Sequence, residues 1–166
     1  MSPKKVEFKT GETVVYPKHG VGEIIKMESM EIANIKTMFY VVKMEQSKLT
    51  IRVPIDKQKE VGLRKISSKK IIDEVLEILK LKPKIRRIMW SRRAQEYDTK
   101  IFSGDPIKIA EVVRDLFRKN TQSEQSYSER QMFQVAIERL AREVAAVEKT
   151  DYFQSTEKIE TILRNK

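Results

Sequence analysis

The sequence predicts an α+β chain of two domains, in which a small antiparallel, barrel-like β-sheet is followed by a compact all-helical domain. Between residues 12 and 55, short segments rich in β-branched and aromatic residues recur at a spacing of roughly ten residues, separated by turn residues. From about Ser67 onward, apolar residues recur at helical spacing instead. This change of period predicts a boundary within residues 64–70, and domains at residues 1–66 and 67–166.

The first domain is predicted to contain four strands, at residues 12–17, 21–28, 37–44 and 48–55. Gly20 lies between the first two strands, where a turn can use its freedom to adopt positive φ. In the fourth strand, Leu49, Ile51 and Val53 share one face, and Arg52 lies on the other. An arginine on a polar strand face is usually solvated, but such a face can also bind a partner.

The second domain is predicted to begin with a helix capped by Ser67 or Ser68 and interrupted by Pro83. A second helix is expected over residues 92–102, with Ser91 as its N-cap and Ala94, Tyr97 and Ile101 facing inward. Three more helical segments follow, at residues 103–120, 126–149 and 155–166.

Capping residues in the sequence predict where two of these helices start. In the segment 103–120, Asp105 suits the N-cap and Pro106 the first helical position. In the segment 126–149, Ser126 and Glu129 have the spacing of a capping box. Both helices are therefore expected to start just after a polar residue that satisfies their first backbone N–H groups.

The net charge of +10 is unevenly distributed along the chain. Residues 82–100 contain seven basic and two acidic residues, whereas residues 101–166 contain eleven of each. The basic surplus of the predicted helical domain is thus concentrated in one short stretch. A concentrated basic surplus favours an anionic partner, such as nucleic acid.

The residue types argue against an enzyme and against a secreted or membrane protein. The chain has no cysteine and a single histidine, His19, which lies in a predicted turn without a visible catalytic partner. No metal or cofactor motif is present, and no cofactor is expected. Neither a signal sequence nor a long apolar run is visible, so we expect a cytoplasmic protein that is not bound to a membrane.

Trp90 is the only tryptophan, and six cations surround it within residues 82–93 without an acidic residue among them. The predicted N-cap at Ser91 places Trp90 just outside a helix N-terminus, where free backbone N–H groups favour phosphate. Two interpretations remain open from the pattern. Trp90 either packs the helix start against the core, or it stacks on a base or wedges into a DNA groove.

Several motifs together resemble the short, stand-alone CarD-like transcription regulators of bacteria. They are GETVVYPKHGVGEI, LTIRVP, VGLRKI, WSRR and SGDPIKIAEVVRDLFRK, and they occur in the family order from about Phe8 to the last helix. The resemblance implies a Tudor-like first domain that binds the β subunit of bacterial RNA polymerase. It also implies a helical second domain that contacts promoter DNA, without sequence specificity of its own, at the upstream edge of the transcription bubble.

The resemblance also assigns roles to individual residues. Trp90 would be the wedge at the upstream fork, with Arg92 and Arg93 contacting the DNA backbone and Arg130 close to DNA. The basic cluster around Trp90 adds Arg86 and Arg87 as candidate DNA-binding residues. Arg130 can also be read as an ordinary surface arginine beside Glu129. On the first domain, the polymerase-binding residues would be Arg52, Pro54 and Met30.

Two positions depart from relatives in this family. Met30 stands where some relatives have an arginine, so the polymerase contact at this position would be apolar or absent. Gln95 stands where some relatives have a lysine, which would remove one phosphate contact. We expect a monomer. The alternatives to a polymerase-bound regulator are a free-standing basic nucleic-acid-binding protein, which would act without polymerase, and a membrane-surface or protein-bridging adaptor.

Overall fold

The computed structural model describes residues 6–118 and 126–166. The chain divides into two compact units, with the division between Ile66 and Ser67. The first unit is an antiparallel five-stranded sheet, and the second consists of five helices. The predicted fold class is therefore confirmed.

The sheet has the strand order β4-β3-β2-β1-β5. Its strands are β1 (Thr13–Tyr16), β2 (Gly20–Ile32), β3 (Ile35–Met44), β4 (Thr50–Pro54) and β5 (Arg64–Lys65). A short 3-10 helix, Ile55–Lys57, follows β4. Gly20 has a φ of 89°, as the predicted turn requires.

The sequence did not predict β5 or the full length of β2. The strand β5 has two residues, which pair with Val14 and Val15 of β1, and two residues are too few to show an alternating pattern. The strand β2 runs on to Ile32 because Ala33 and Asn34, both with positive φ, form a two-residue hairpin loop. Only one of these two turn residues is of a type that favours positive φ, so the hairpin signal in the sequence is weak.

One face of the sheet covers the core of the first unit. Nine buried residues form this core: Phe8, Val14, Ile24, Tyr40, Val42, Met44, Val53, Ile55 and Leu63. The hydroxyl of Tyr40 accepts hydrogen bonds from the backbone N–H groups of Glu7 and Phe8, at 3.0 and 3.4 Å. The N-terminal end of the described chain is thereby fixed to the third strand.

The helices of the second unit are α1 (Lys69–Leu79), α2 (Trp90–Phe102), α3 (Pro106–Leu116), α4 (Tyr127–Glu148) and α5 (Tyr152–Arg164). Ser68 caps α1, Asp105 caps α3 and Ser126 caps α4, in agreement with the sequence. The last two residues of the predicted segment 103–120 lie outside the described residues.

The predicted start of the last helix was three residues too late. Asp151 caps α5 and accepts a hydrogen bond from the backbone N–H of Gln154, at 2.8 Å. The side chain of Gln154 in turn accepts from the backbone N–H of Asp151. This capping box uses aspartate and glutamine in place of the more familiar serine and glutamate, and it adds a turn before Ser155.

The helical core is formed mainly by α1, α3 and α4, and α3 packs against both of the others. A buried carboxylate, Glu143, fixes the start of this unit because it accepts hydrogen bonds from the N–H and the hydroxyl of Ser67, at 2.9 and 2.7 Å. Ser68 is therefore the helix cap, while its neighbour Ser67 binds to α4.

Candidate protein-binding and nucleic-acid interfaces

The strand register places Arg52, Pro54 and Met30 on the same face of the sheet. Each is paired with a β3 residue, and these partners are two positions apart: Val41, Phe39 and Thr37. Paired residues of antiparallel strands share a face, and so do alternate residues of one strand. This face, which we call the outer face, lies opposite Tyr40 and the core.

The outer face combines buried and exposed apolar side chains. Phe39 and Val41 are buried, although neither belongs to the core on the other side of the sheet. Towards the β2–β3 hairpin, Met30, Ile32 and Ile35 are 39%, 53% and 65% exposed. Adjacent exposed apolar side chains of this kind are typical of a surface that binds another protein.

Arg52 is held in place by an ion pair. Its Nε donates to Oε2 of Glu28 at 3.0 Å, and the Arg52 side chain remains about half exposed. An exposed pair of this kind adds little to stability. Its consequence is geometric, because Glu28 orients the guanidinium and leaves its exposed part available to a partner.

The helix α2 begins earlier than the sequence predicted. Its first residue is Trp90 and its N-cap is Met89, so Ser91 lies inside the helix and does not cap it. The carbonyl of Met89 accepts hydrogen bonds from the N–H groups of Arg92 and Arg93, both at 3.1 Å. A serine cap contributes about 1 kcal/mol, and packing of a large aromatic side chain can outweigh it.

Trp90 is neither buried nor fully exposed. Its ring packs against the edge of the helical core, with its centroid 6.2 Å from that of Tyr97. The guanidinium carbon of Arg93 lies 5.3 Å from the Trp90 centroid, on the ring face. The interpretation of Trp90 as a packing residue and its interpretation as a contact residue are therefore compatible. Trp90 packs the start of α2 against the core and remains partly exposed to solvent.

The two arginines that follow Trp90 differ in their surroundings. Arg93 packs over Trp90 and Tyr97, and its Nη2 donates to the Tyr97 hydroxyl at 3.3 Å. Its Nε is buried and has no hydrogen-bond partner within the described structure. Arg92 is exposed and makes no ion pair with another described residue. Arg92 is therefore better placed than Arg93 to meet an outside anion.

The segment of residues 80–89, which we call the basic segment, is neither helix nor strand. Its two arginines also differ. Arg86 forms an ion pair with Glu96 of α2, whereas Arg87 is exposed and has no ion pair with another described residue. An anion that contacts Arg86 must compete with Glu96, while one that contacts Arg87 meets no such competition.

A buried carboxylate of α3, that of Asp115, fixes the basic segment to this helix. Oδ1 of Asp115 accepts hydrogen bonds from the backbone N–H of Lys84, at 2.9 Å, and from Nε of Arg114, at 2.7 Å. The side chains of Asp115 and Arg114 are both only 5% exposed. Neither residue was predicted from the sequence to be functional. Two adjacent charges inside the apolar pattern VVRDLF were the available signal.

Arg118, which follows α3, connects Asp115 to the start of α4. Arg118 donates to the carbonyl of Asp115 at 3.1 Å, and its Nη2 lies 3.7 Å from Oε2 of Glu129. Arg130 follows Glu129 and is exposed. The structure therefore places Arg130 at the end of the helical unit that also carries Lys84 and the basic segment.

Comparison with known proteins agrees with the two-unit fold. Residues 8–67 match the family model for the CarD-like/TRCF RID domain, and residues 74–160 match the model for the CarD C-terminal domain. The chain belongs to the CarD family. CarD proteins are transcription factors, and the first match is to their RNA polymerase-interacting domain.

Two relatives illustrate the similarity. YdeB of Bacillus subtilis (strain 168), named as a candidate transcription factor, is 30% identical over 140 residues, which cover 84% of this chain and 92% of YdeB. The solved structure of CdnLNt from Myxococcus xanthus is 42% identical and covers 39% of this chain and 92% of its own, with a TM-score of 0.33.

His19 is the single histidine of this CarD protein. His19 stacks on Tyr16, with 5.6 Å between ring centroids, in the turn where it was expected. Within residues 6–118 and 126–166, no group of three or more histidine, cysteine or carboxylate side chains could hold a metal ion. In the same residues, every helix is too short or too polar to cross a membrane.

A strand-face platform for single-stranded nucleic acid has little support in this CarD protein. Phe39 and Tyr40 point to opposite faces of the sheet, and Tyr40 is fully buried with its hydroxyl bound to backbone. Stacking of successive bases needs exposed rings on one face. The sheet therefore provides no support for the alternative of a free-standing nucleic-acid-binding protein.

Proposed function

We propose that this CarD protein regulates transcription initiation by linking RNA polymerase to the upstream edge of the transcription bubble. Its first unit binds the β subunit of the polymerase. Its second unit then contacts promoter DNA, without sequence specificity of its own, and stabilises the open complex. The observation that carries this proposal is a partly buried tryptophan beside exposed cations at a helix start, in a chain that also has the polymerase-interacting domain.

The polymerase-binding surface in this proposal is the outer face around Arg52, Pro54 and Met30. The arginine supplies a directed donor, and the neighbouring apolar residues supply area that a partner can bury. The strand β4, which carries Arg52 and Pro54, lies at an edge of the sheet. An edge strand also offers backbone hydrogen-bonding groups to a second chain.

The DNA-contacting surface in this proposal is formed by Trp90 and the cations around it. Trp90 stacks at the fork where base pairs are already open, and Arg93 holds the indole by packing on one ring face. Arg87 and Arg92 contact phosphates directly, while Arg86 and Arg130 add weaker contacts. Docking on polymerase raises the local concentration of this surface at the promoter, so weak DNA contacts are sufficient.

Arg52→Glu tests the polymerase-binding surface. It places two carboxylates, Glu28 and the new one, side by side on the outer face, so we expect polymerase binding to weaken by about tenfold or more. Open-complex stabilisation should fall with it. Lys36→Glu is the matched control, because it makes the same charge change at an exposed position on the opposite strand face.

Two quantities are measured for each variant. They are the affinity of the full chain for bacterial RNA polymerase and the lifetime of open promoter complexes. Loss of both in Arg52→Glu, and of neither in Lys36→Glu, supports the proposal. If both variants bound polymerase as tightly as the wild-type protein, the outer face would not be the docking surface. If the wild-type protein bound DNA tightly but not polymerase, a free-standing nucleic-acid binder would replace the proposal.

Salt dependence tests the phosphate contacts. Four such contacts would give a slope of about −3.6 for the logarithm of the DNA-step equilibrium against the logarithm of salt concentration. Arg87→Gln and Arg92→Gln should each make the slope shallower by about 0.9. Arg86→Gln should change it less, because Glu96 already neutralises Arg86.

Lys108→Gln, an exposed change on α3, is the control for these slopes. Each slope is obtained from open-complex stability measured at several salt concentrations with polymerase held saturated. Equal slopes in the wild-type, Arg87→Gln and Arg92→Gln proteins would show that neither arginine contacts phosphate.

A further inference from the structure

The basic segment has little secondary structure to hold it, although it leads directly into Trp90. The Lys84 N–H donates to the buried side chain of Asp115. No other hydrogen bond or ion pair described for residues 82–89 has a buried side chain as its partner. The pair of Arg86 with Glu96 is exposed on both sides. Within residues 82–89, the hydrogen bond from Lys84 to Asp115 is therefore the one described contact of this kind to a buried side chain.

The partner of this contact is itself firmly fixed. Asp115 lies in the last turn of α3, next to Leu116, which is fully buried in the helical core. Arg114 donates to the same carboxylate oxygen that accepts from Lys84, and Arg118 donates to the backbone carbonyl of Asp115. Neighbouring donors thus orient the carboxylate before it binds the basic segment.

Stability alone gives a weak reason to keep this arrangement. A buried ion pair is often no better for stability than apolar residues of the same volume. Here, however, the carboxylate also accepts the backbone N–H of a residue 31 positions away in the sequence. An apolar replacement would fill the space and could not accept that N–H.

We propose that Asp115 is a positioning residue, which holds the basic segment so that its cations lie beside Trp90 when the protein meets DNA. This inference rests on the function proposed above and adds a buried carboxylate that acts through the backbone of Lys84. Asp115 does not touch the DNA. It acts by limiting the positions that Lys84, Arg86 and Arg87 can adopt.

The test is made on the donor side of the contact, because removing Asp115 also leaves Arg114 buried without its counter-charge and weakens the whole unit. Lys84→Pro removes the N–H, and Lys84→Ala keeps it while removing the same side-chain charge. The difference between these two variants isolates the hydrogen bond. Ile85→Pro and Ile85→Ala control for proline itself, because the Ile85 N–H makes no hydrogen bond in the described structure.

The first measurement needs no polymerase. Backbone ¹⁵N order parameters of Arg86 and Arg87 should fall below about 0.6 in Lys84→Pro and stay near about 0.85 in Lys84→Ala, because the hydrogen bond to Asp115 limits the motion of the segment. Thermal unfolding of the two variants should differ by only a few degrees, because Lys84→Pro loses one net hydrogen bond and no core packing. Equal order parameters in the Lys84 pair, or an equal effect from the Ile85 pair, would overturn the proposal.

The second measurement is the lifetime of open promoter complexes with polymerase saturated. Lys84→Pro should stabilise them less than Lys84→Ala, by about two- to tenfold. If the wild-type protein is active and the two Lys84 variants are equal, the positioning role is wrong and the proposed function stands. If the wild-type protein does not prolong open complexes, the proposed function fails first, and the positioning role for DNA contact fails with it.

Discussion

Trp90→Ala is expected to leave polymerase binding unchanged and to abolish most of the stabilisation of open promoter complexes. Stacking of an aromatic ring on a base contributes roughly 1–3 kcal/mol, which corresponds to about a five- to hundredfold change in the open-complex equilibrium. Polymerase binding should be preserved because Trp90 lies in the helical unit, whereas the proposed docking surface lies on the sheet.

The partial burial of Trp90 determines how this experiment must be controlled. The indole packs against Tyr97 and under the guanidinium of Arg93, so alanine also removes contacts within the protein. Trp90→Phe keeps much of this packing and retains a smaller ring. We expect its open-complex stabilisation to lie between those of the wild-type protein and Trp90→Ala, at a temperature where all three are folded.

The measurement is the dissociation rate of open complexes challenged with a competitor, at saturating concentrations of each variant. Tyr97→Phe serves as a second control, because it removes the hydroxyl that accepts from Arg93 and leaves the ring beside Trp90. If Trp90→Ala stabilised open complexes as well as the wild-type protein, the indole would be only a structural element of α2. The DNA contacts would then be those of the cations alone.

The sequence was sufficient where periodicity and local chemistry agree. The change from period 2 to period 3.6 near Ser67 predicted a sheet followed by helices, and the caps at Ser68, Asp105 and Ser126 lie at their predicted positions. Each of these signals depends on a few neighbouring residues. No knowledge of distant contacts is needed to read them.

The sequence was insufficient where a distant contact decides. Ser91 has good capping chemistry, yet α2 begins at Trp90, which packs against a core that no local pattern reveals. The ion pair between Arg86 and Glu96 and that between Arg52 and Glu28 join residues ten and twenty-four positions apart. The sequence alone does not show these ion pairs. It therefore could not tell which cations of each unit are already paired with a carboxylate.

Asp115 is the clearest case of a residue that only the fold could identify. Its carboxylate accepts a hydrogen bond from a backbone N–H 31 positions away in the sequence, and the motif VVRDLF gives no indication of that partner. The resemblance to the CarD family supplied the residues that would touch DNA. It did not supply the buried residue that holds them, because that role depends on the geometry between α3 and the basic segment.

Asp115→Ala should lower the free energy of unfolding of the helical unit by about 3–5 kcal/mol, the usual cost of breaking a buried ion pair from one side. The cost arises mainly because the guanidinium of Arg114, 5% exposed, loses its counter-charge and cannot regain water without opening the core. The N–H of Lys84 loses its acceptor as well. Asp73→Ala, at an exposed position on α1, should change stability by about 0.5 kcal/mol or less.

Urea unfolding followed by tryptophan fluorescence measures this effect on the correct unit, because Trp90 is the only tryptophan and lies in the helical part. The double variant Arg114→Met with Asp115→Leu separates charge from volume, since it replaces both partners with apolar residues. We expect it to recover much of the stability that Asp115→Ala loses. It should not restore the backbone order of Arg86 and Arg87, because leucine cannot accept the N–H of Lys84. A variant that is stable but leaves the basic segment loose would therefore show that Asp115 has two separable effects, one on the fold and one on the position of the residues proposed to meet DNA.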